Sequence, residues 1–357
     1  MKKDESLKIS VLMSILIKNG YENNKARVKA IGEALKGLMC VKEATLSGIS
    51  RGIAVLDEET NFRSQLKRMH RLMKNEKWEV WESAKAMYKH LTEKLEIVLI
   101  SVDWTKLGYY WVLEAALVTE GRAIPIYAIA VQEDELKGRQ TTIEMTMWYA
   151  LVGMVKSKQE LVVIADRGFA KFDYLGENEL YPNIHLIIRL KKNTNLTWGT
   201  ISAKLEEWPL WDYEIVEIEY AKLGEEQLVV SGVCLVNCGE LKAQKLYLAC
   251  SSKIVDIAFA TYCKRSWVEQ QNRDLKTNFS LYKLHLATAS RLERLWLILS
   301  LAFYLSFSNL AIHDLDFVSR FSRSYKDGRR DLSWLSLAKF AELAGFVELD
   351  FQPLSSQ

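Results

Sequence analysis

Residues 96–131 read EIVLISVDWTKLGYYWVLEAALVTEGRAIPIYAIAV and contain three apolar runs with strand character. The first run ends at Asp103, and the other two lie on either side of a Glu-Gly turn at 120–121. Aliphatic β-branched and aromatic residues are common in strands, and a short turn between two such runs is typical of a hairpin. The stretch therefore predicts three successive strands that form an antiparallel meander.

Helices and strands alternate after the meander. Residues 141–157, TTIEMTMWYALVGMVKS, are predicted to form a helix, and residues 160–169, ELVVIADRGF, contain a buried strand that ends at Asp166. A further helix and the strand 184–190, IHLIIRL, are predicted next. Three meander strands followed by alternating elements are the order of an RNase H-like domain, so the predicted fold class is α/β.

The rest of the chain is predicted to be arranged around this core. The segment 45–53, TLSGISRGI, is interpreted as a turn between N-terminal helices. Alternating strand patterns downstream of the core indicate a β-rich insertion, after which the chain returns to helix. The predicted units are an all-α N-terminal DNA-binding region (1–92), the first part of the core (93–190), the β-rich insertion (191–255), the second part of the core with the Glu269 helix (256–312) and a helical C-terminal region (313–357).

Composition excludes several classes of protein. A hydrophobic content of 49% with only 4 Pro is incompatible with a largely disordered chain, and 357 residues suggest two or three domains. The 5 Cys have irregular spacing, which predicts reduced thiols in a cytosolic protein rather than a disulfide framework or a zinc site. The apolar segment 295–312 contains Ser, Tyr and Asn, and is interpreted as a buried core helix rather than a membrane span.

Acidic residues interrupt two of the apolar runs. Asp103 and Asp166 each follow aliphatic residues, where a buried charge would be costly. Ligand sites gather at the carboxyl ends of strands in α/β sheets. Taken singly, each acid is better explained as a turn or helix-cap residue than as a ligand. Together with a third acid, they could bind Mg²⁺, which prefers hard oxygen ligands.

A polar segment supplies a candidate third acid. Residues 262–276 read YCKRSWVEQQNRDLK, and in a single helix five of their side chains would share a stripe about 80° wide. The five are Tyr262, Arg265, Glu269, Arg273 and Lys276. This stripe would place a carboxylate among cations suited to phosphate. Ion pairs on a solvated surface helix explain the same pattern, and geometry alone slightly favours this second interpretation.

The same segment matches the signature Y-x2-R-x3-E-x6-K at Tyr262, Arg265, Glu269 and Lys276. By this signature the chain resembles the DDE transposases of the bacterial insertion-sequence-4 family, and in particular its Tn-ten-like members. The stretches VDWTKL and VVIADRGF resemble the two Asp motifs of that family, which also has a β-rich insertion before the Glu. The resemblance covers most of residues 95–312.

The resemblance implies a catalytic triad of Asp103, Asp166 and Glu269 that binds two Mg²⁺ ions, with Mn²⁺ as a substitute. The implied reaction is cleavage at transposon ends and strand transfer into target DNA, by cut-and-paste and in some relatives through a hairpin. The implied partners are double-stranded DNA with terminal inverted repeats, target DNA and a second copy of the chain in a synaptic dimer. The expected location is the bacterial cytoplasm, on the nucleoid, with no membrane association.

Further residues are candidates for DNA contact. By the resemblance, Tyr262, Arg265 and Lys276 hold phosphates, and Arg189 matches a DNA-contacting Arg of the family. Arg273 is added from the helical stripe, with a solubilising surface role as the alternative. A basic helical face is predicted to bind transposon-end DNA, with a solvated helix face as the alternative; it comprises Arg63, Lys67, Arg71 and Lys74. The basic stretch 320–330 is a further candidate for DNA or partner contacts.

One feature departs from the family pattern. Some relatives stack a flipped base on a Trp just before the last strand of the insertion, where this chain reads KLYLACS, with Tyr247 and no Trp. For Trp198, Trp208 and Trp211, which lie earlier, a core position is the simpler interpretation. The stacking residue therefore stays unassigned. Two other functions compete with transposition: an RNase H-like nuclease, and a silent, domesticated DNA-binding protein, which would not need the acids.

Overall fold

A computed structural model describes residues 3–57, 59–119, 122–169, 180–224, 228–238, 245–284 and 286–308. The helix predicted directly after Asp166, the C-terminal region 313–357 and the basic stretch 320–330 lie outside the described residues, wholly or for the most part.

Five helices precede the first strand, and the remaining helices lie between strands or after the last one. The helices are α1 (Lys3–Lys18), α2 (Lys25–Val41), α3 (Leu46–Leu56), α4 (Phe62–Met73), α5 (Val80–Leu91), α6 (Glu133–Leu136), α7 (Gln140–Val152), α8 (Ala258–Cys263), α9 (Ser266–Asn278) and α10 (Ala289–Ser308). The strands are β1 (Ile97–Leu107), β2 (Tyr110–Thr119), β3 (Arg122–Gln132), β4 (Glu160–Ala165), β5 (Ile184–Arg189), β6 (Asn195–Trp198), β7 (Ile201–Lys204), β8 (Ile215–Leu223), β9 (Leu228–Asn237) and β10 (Lys245–Cys250).

The ten strands formed by the described residues belong to one mixed sheet in the order β3-β2-β1-β4-β5-β10-β9-β8-β6-β7. Strands β1, β2 and β3 are antiparallel neighbours, whereas β4 runs parallel to β1 and β5 runs parallel to β4. The predicted meander and the α/β class are therefore confirmed. Within β6–β10 each strand is antiparallel to the strands that it pairs with, and β10 pairs with β5, so the β-rich segment extends the core sheet.

The prediction of a turn at 45–53 was wrong, because these residues form most of α3. Thr45 caps this helix by accepting a hydrogen bond from the backbone N–H of Gly48 at 2.9 Å. The glycines that suggested a turn serve close packing of α3 against α2. A Cβ at Gly52 would overlap the carbonyl oxygen of Gly37, so the two helices approach backbone to backbone.

Helix α10 is the buried core helix that was predicted for the apolar segment. Its side chains from Leu292 to Leu305 are largely inaccessible, and it packs over the edge strand β3. There the carboxylate of Glu293 accepts a hydrogen bond from the backbone N–H of Ala130 at 2.9 Å. Within the described part of the chain, no helix is both long and apolar enough to span a membrane.

Candidate active site

Two of the predicted acids lie at matching positions of two neighbouring strands. The last residues that pair between the parallel strands β1 and β4 are Val102 and Ala165, so Asp103 comes next on β1 and Asp166 directly follows the end of β4. Asp103 does not end its strand as predicted. It lies within β1, which continues to Leu107 because its other edge stays paired with β2.

The segment 262–276 is not one continuous helix, and the predicted single stripe is wrong in this respect. Tyr262 lies in α8 and Glu269 in α9, and the chain turns at Lys264 and Arg265 between them. Tight backbone hydrogen bonds between residues three apart form this turn, including the N–H of Arg265 to the carbonyl of Tyr262 at 2.9 Å. Tyr262 and Arg265 nevertheless reach the same site as Glu269.

The guanidinium of Arg265 joins the three acids. Its Nη2 lies 3.0 Å from Oδ2 of Asp166 and 4.0 Å from Oδ1 of Asp103, and its Nη1 donates to Oε1 of Glu269. The hydroxyl of Tyr262 donates to the other oxygen of Asp166 at 3.1 Å. The structure thus places all three acids around one cation, which contacts each of them.

The electrostatic environments of the two aspartates differ. Burial raises the pKa of Asp103, and the charge of Arg265 offsets only part of this effect. Burial also opposes ionisation of Asp166. There, however, Arg265, the backbone N–H of Arg167 and the hydroxyl of Tyr262 together lower the pKa below its usual value. Asp166 is therefore the more firmly ionised of the pair.

A family model matches part of the chain. Residues 142–305 match the family model described as a transposase DDE domain. The matched segment includes Asp166, the β-rich segment, Arg265 and Glu269, and it begins after the meander that carries Asp103. Such a domain implies a transposase-type activity on DNA. A comparison with curated proteins gave no match.

Transposase DDE domains use divalent metal ions, and the donors present here suit them. Three carboxylates provide the hard oxygen ligands that Mg²⁺ and Mn²⁺ prefer. Among the described residues, however, no set of three or more His, Cys, Asp and Glu side chains is arranged as a ready metal site. Each of the three carboxylates lies instead within salt-bridge distance of the guanidinium of Arg265.

The other predicted DNA contacts of this region have different surroundings. Lys276 is half-buried on α9, and its charge acts on the nearby Glu114 of β2. Arg189 ends β5, and its charge helps to lower the pKa of Asp166. Arg273 is exposed and donates to Oε1 of Gln270 on its own helix at 3.1 Å, outside the group around Arg265.

A basic cleft of about 560 Å³ lies next to Asp166. Arg167 connects the cleft to the acids, because it directly follows Asp166. The cleft is lined by Arg167, Arg189, Leu190, Lys191, Lys192, Asn193, Glu206, Lys245 and Tyr247. Apart from Arg189, its cations were missed in the sequence, although the run RLKK was a visible signal. An anionic backbone is the chemistry that such a cleft suits.

The tryptophans of the β-rich segment separate into two groups. Trp208 is in the core, as interpreted, with 7% of its surface exposed. Trp198 and Trp211 are exposed, at 47% and 80%, so the core interpretation was wrong for both. Neither one lines the basic cleft, where Tyr247 provides the aromatic side chain.

The predicted basic face lies on α4 and its C-cap residue Lys74, and it is solvent-exposed. Arg63, Lys67, Arg71 and Lys74 are all exposed, and none forms an ion pair with a residue that the structure describes. The neighbouring Arg68 is different, because it forms a salt bridge with Glu33 of α2. The free cations of α4 thus share one surface.

The sequence reasoning also missed a buried acid, Glu114, behind the site. Glu114 is directly opposite Asp103 on β2 and is fully buried. Burial raises its pKa to about 7, although hydrogen bonds from Gln271 and Trp296 favour the ionised form. The available signal was a Glu in the middle of the apolar run WVLEAALV.

Proposed function

We propose that the chain is an active cut-and-paste DNA transposase of the insertion-sequence-4 type, with Asp103, Asp166 and Glu269 as its catalytic acids. The convergence of these three side chains on Arg265, at the edge of a transposase DDE domain, is the observation that supports this proposal. In this proposal the three acids hold two Mg²⁺ ions, for which Mn²⁺ can substitute. When bound, these ions supply activation of the attacking oxygen and stabilisation of the leaving oxygen.

The chain's own residues bind and orient the DNA. In the proposed complex Arg265 contacts a phosphate beside the scissile bond, where its planar guanidinium can bind two oxygens at once. Lys276 and Tyr262 hold neighbouring phosphates, and Arg189 extends the contact into the basic cleft. The exposed cations of α4 bind the terminal inverted repeat. Synapsis of two ends then requires two copies of the chain, in the bacterial cytoplasm where the DNA is located.

The proposal is tested with duplexes that carry the inverted repeats expected at the borders of the gene. With Mg²⁺, the wild type should cleave at the repeat end and join the freed 3′-hydroxyl to target DNA. The variants Asp103→Asn, Asp166→Asn and Glu269→Gln keep the shape of each side chain and remove its charge. Each should bind the ends and fail to cleave them, whereas Glu219→Gln, at an exposed acid of β8, should cleave normally.

The products separate the competing functions. Cleavage without strand transfer would indicate an RNase H-like nuclease, and end binding without Mg²⁺-dependent cleavage would indicate a DNA-binding protein alone. Normal cleavage by any one of the three variants would remove that residue from the proposed triad.

A further inference from the structure

Glu114 is an acid in a position where the sheet favours an apolar residue. It lies in the middle of β2, with Val112 and Ala116 on the same face of the strand, and none of its surface is exposed. In the antiparallel pair of β1 and β2 it is the direct partner of Asp103, so both acids lie on the same face of the sheet.

Two helices donate hydrogen bonds to this carboxylate. Nε2 of Gln271 lies 3.1 and 3.2 Å from its two oxygens, and Nε1 of Trp296 lies 3.0 Å from Oε1. Gln271 belongs to α9 and is 2% exposed, and Trp296 belongs to α10 and is 1% exposed. The carboxylate therefore links β2, α9 and α10 at one buried point.

The Gln271–Glu114 contact lies where it can fix the position of Glu269. Gln271 comes two residues after Glu269 on the same helix, and the Gln271 contact joins that helix to the strand next to the one carrying Asp103. The other buried contacts of α9 include the apolar side chains of Val268 and Leu275, which resist separation from the sheet and do not define a rotation. A hydrogen bond from a single buried amide has a direction, and it limits rotation of the helix about its axis.

Stability alone is a poor account of this arrangement. Burying a carboxylate is costly, and replacing buried polar groups with well-packed apolar residues is often neutral or stabilising. An apolar side chain at this position would fill β2 equally well and would make no directional contact with α9. The contribution specific to the carboxylate is thus to fix α9, which carries Glu269, in position against β2. Strand β2 in turn pairs with β1, which carries Asp103.

We propose that Glu114 is a positioning residue that acts through Gln271 to hold Glu269 in register with Asp103 and Asp166 for metal binding. This inference rests on the proposed function, since it assumes that the three acids bind divalent ions. Glu114 itself lies behind the site and contacts neither the ions nor the DNA. Side chains that hold metal ligands in place typically affect metal affinity or activity by about 10–100-fold when they are removed.

The test measures Mn²⁺ binding by calorimetry without DNA, together with the kcat and KM of Mg²⁺-dependent cleavage. Glu114→Ala should weaken Mn²⁺ binding by about 10–100-fold and lower kcat, with the KM for DNA nearly unchanged. Glu114→Gln should bind Mn²⁺ nearly as tightly as the wild type. In that variant, the new amide can still accept from Trp296 and can donate to Oε1 of Gln271, which has no other partner among the described residues.

Two further variants separate positioning from general stability. Leu113→Ala removes a fully buried side chain from the opposite face of β2, so it should lower the melting temperature and leave Mn²⁺ affinity unchanged. Gln271→Leu removes the amide from α9 and keeps the size of the side chain. Gln271→Leu should weaken Mn²⁺ binding by the same factor of about 10–100 that is expected for Glu114→Ala. If Glu114→Ala fails to fold, Gln271→Leu alone tests whether the Glu114–Gln271 contact positions Glu269.

The inference is overturned if Gln271→Leu, and Glu114→Ala where it folds, bind Mn²⁺ as tightly as the wild type. Failure of the proposed function has a different signature. In that case, Mn²⁺ binding by the wild type would be undetectable, or would persist unchanged in Asp166→Asn.

Discussion

Nη2 of Arg265 donates to Oδ2 of Asp166 across 3.0 Å, although 99 positions of sequence separate the two residues. The same guanidinium contacts Asp103 and Glu269, so the cation provided by the protein lies among the acids that are proposed to hold metal. A divalent ion and this guanidinium compete for the same oxygens. Arg265 is therefore expected to leave the acids when metal binds, and to become available to a phosphate.

Substitution of Arg265 should have opposite effects on metal affinity and on cleavage. Arg265→Gln removes a unit charge from within about 4 Å of the acids, so Mn²⁺ binding without DNA should tighten by about tenfold. Cleavage should fall, because the proposed phosphate contact is lost. Calorimetry and a cleavage assay measure the two effects. Arg273→Gln is the matched control and should leave Mn²⁺ affinity unchanged; weaker binding by Arg265→Gln would show that Arg265 organises the acids rather than competing for them.

If the basic face of α4 binds DNA, removing its charges should change how strongly DNA binding depends on salt concentration. Lys67→Gln combined with Arg71→Gln should weaken binding and reduce the slope of log K against log salt by about 2, since each lost phosphate contact contributes about 1. Fluorescence anisotropy at several salt concentrations measures this slope. Arg68→Gln, on the same helix but paired with Glu33, should leave the slope unchanged. An unchanged slope in the double variant would assign these cations to solubility.

Glu114 should make stability dependent on pH. Its pKa is about 7 in the folded protein and about 4.3 in an unfolded chain, so the folded protein binds this proton more tightly. The resulting stabilisation is complete below the unfolded pKa and is lost as the pH rises through about 7. Relative to Glu114→Gln, the wild type should therefore become less stable from pH 5 to pH 8.

Urea unfolding in the presence of a chelator measures this difference at each pH. Glu219→Gln, which alters an exposed acid, should show no comparable trend against the wild type. A gap between wild type and Glu114→Gln that stays constant over the range would contradict the raised pKa.

Two helical glycines, Gly32 of α2 and Gly52 of α3, should differ sharply in their tolerance of alanine. Gly52→Ala forces a Cβ onto the carbonyl of Gly37 and should destabilise the protein by about 1–3 kcal/mol or more. Gly32→Ala, also within a helix, meets only Cγ of Met13 at 3.9 Å and should be neutral or stabilising by up to about 1 kcal/mol. Thermal and urea unfolding compare the two, and equal effects would contradict the close helix contact.

Local patterns in the sequence predicted the parts of the fold that depend on local structure. The meander at 96–131 and the strand before Asp166 follow from apolar runs and turns, and their pairing makes Asp103 and Asp166 neighbours. The break between α8 and α9 was not predictable from helical periodicity, because the tight turn at Arg265 keeps a helix-like spacing of residues. The helix α3 was mistaken for a turn because its glycines serve a contact with another helix, which local propensity does not include.

The sheet extension and the surroundings of Glu114 depend on contacts between residues far apart in the sequence, and these contacts were not predicted. Whether the β-rich segment forms its own sheet or extends the core depends on the pairing of β10 with β5, which no local signal specifies. Glu114 was visible as an acid within an apolar strand. Its hydrogen-bond donors Gln271 and Trp296 follow it by 157 and 182 positions. The hydrogen bonds that satisfy the buried carboxylate are therefore seen only in the folded structure.

The two outer edges of the ten-stranded sheet have a consequence for solubility. An exposed edge is a template on which strands of other molecules can add and start aggregation. At one edge, α10 covers β3, Glu293 occupies the N–H of Ala130, and Pro125 has no N–H to donate. At the other edge, β7 has only 4 residues and ends in a lysine. These two outer edges thus present few backbone groups on which a neighbouring molecule could start a fibril.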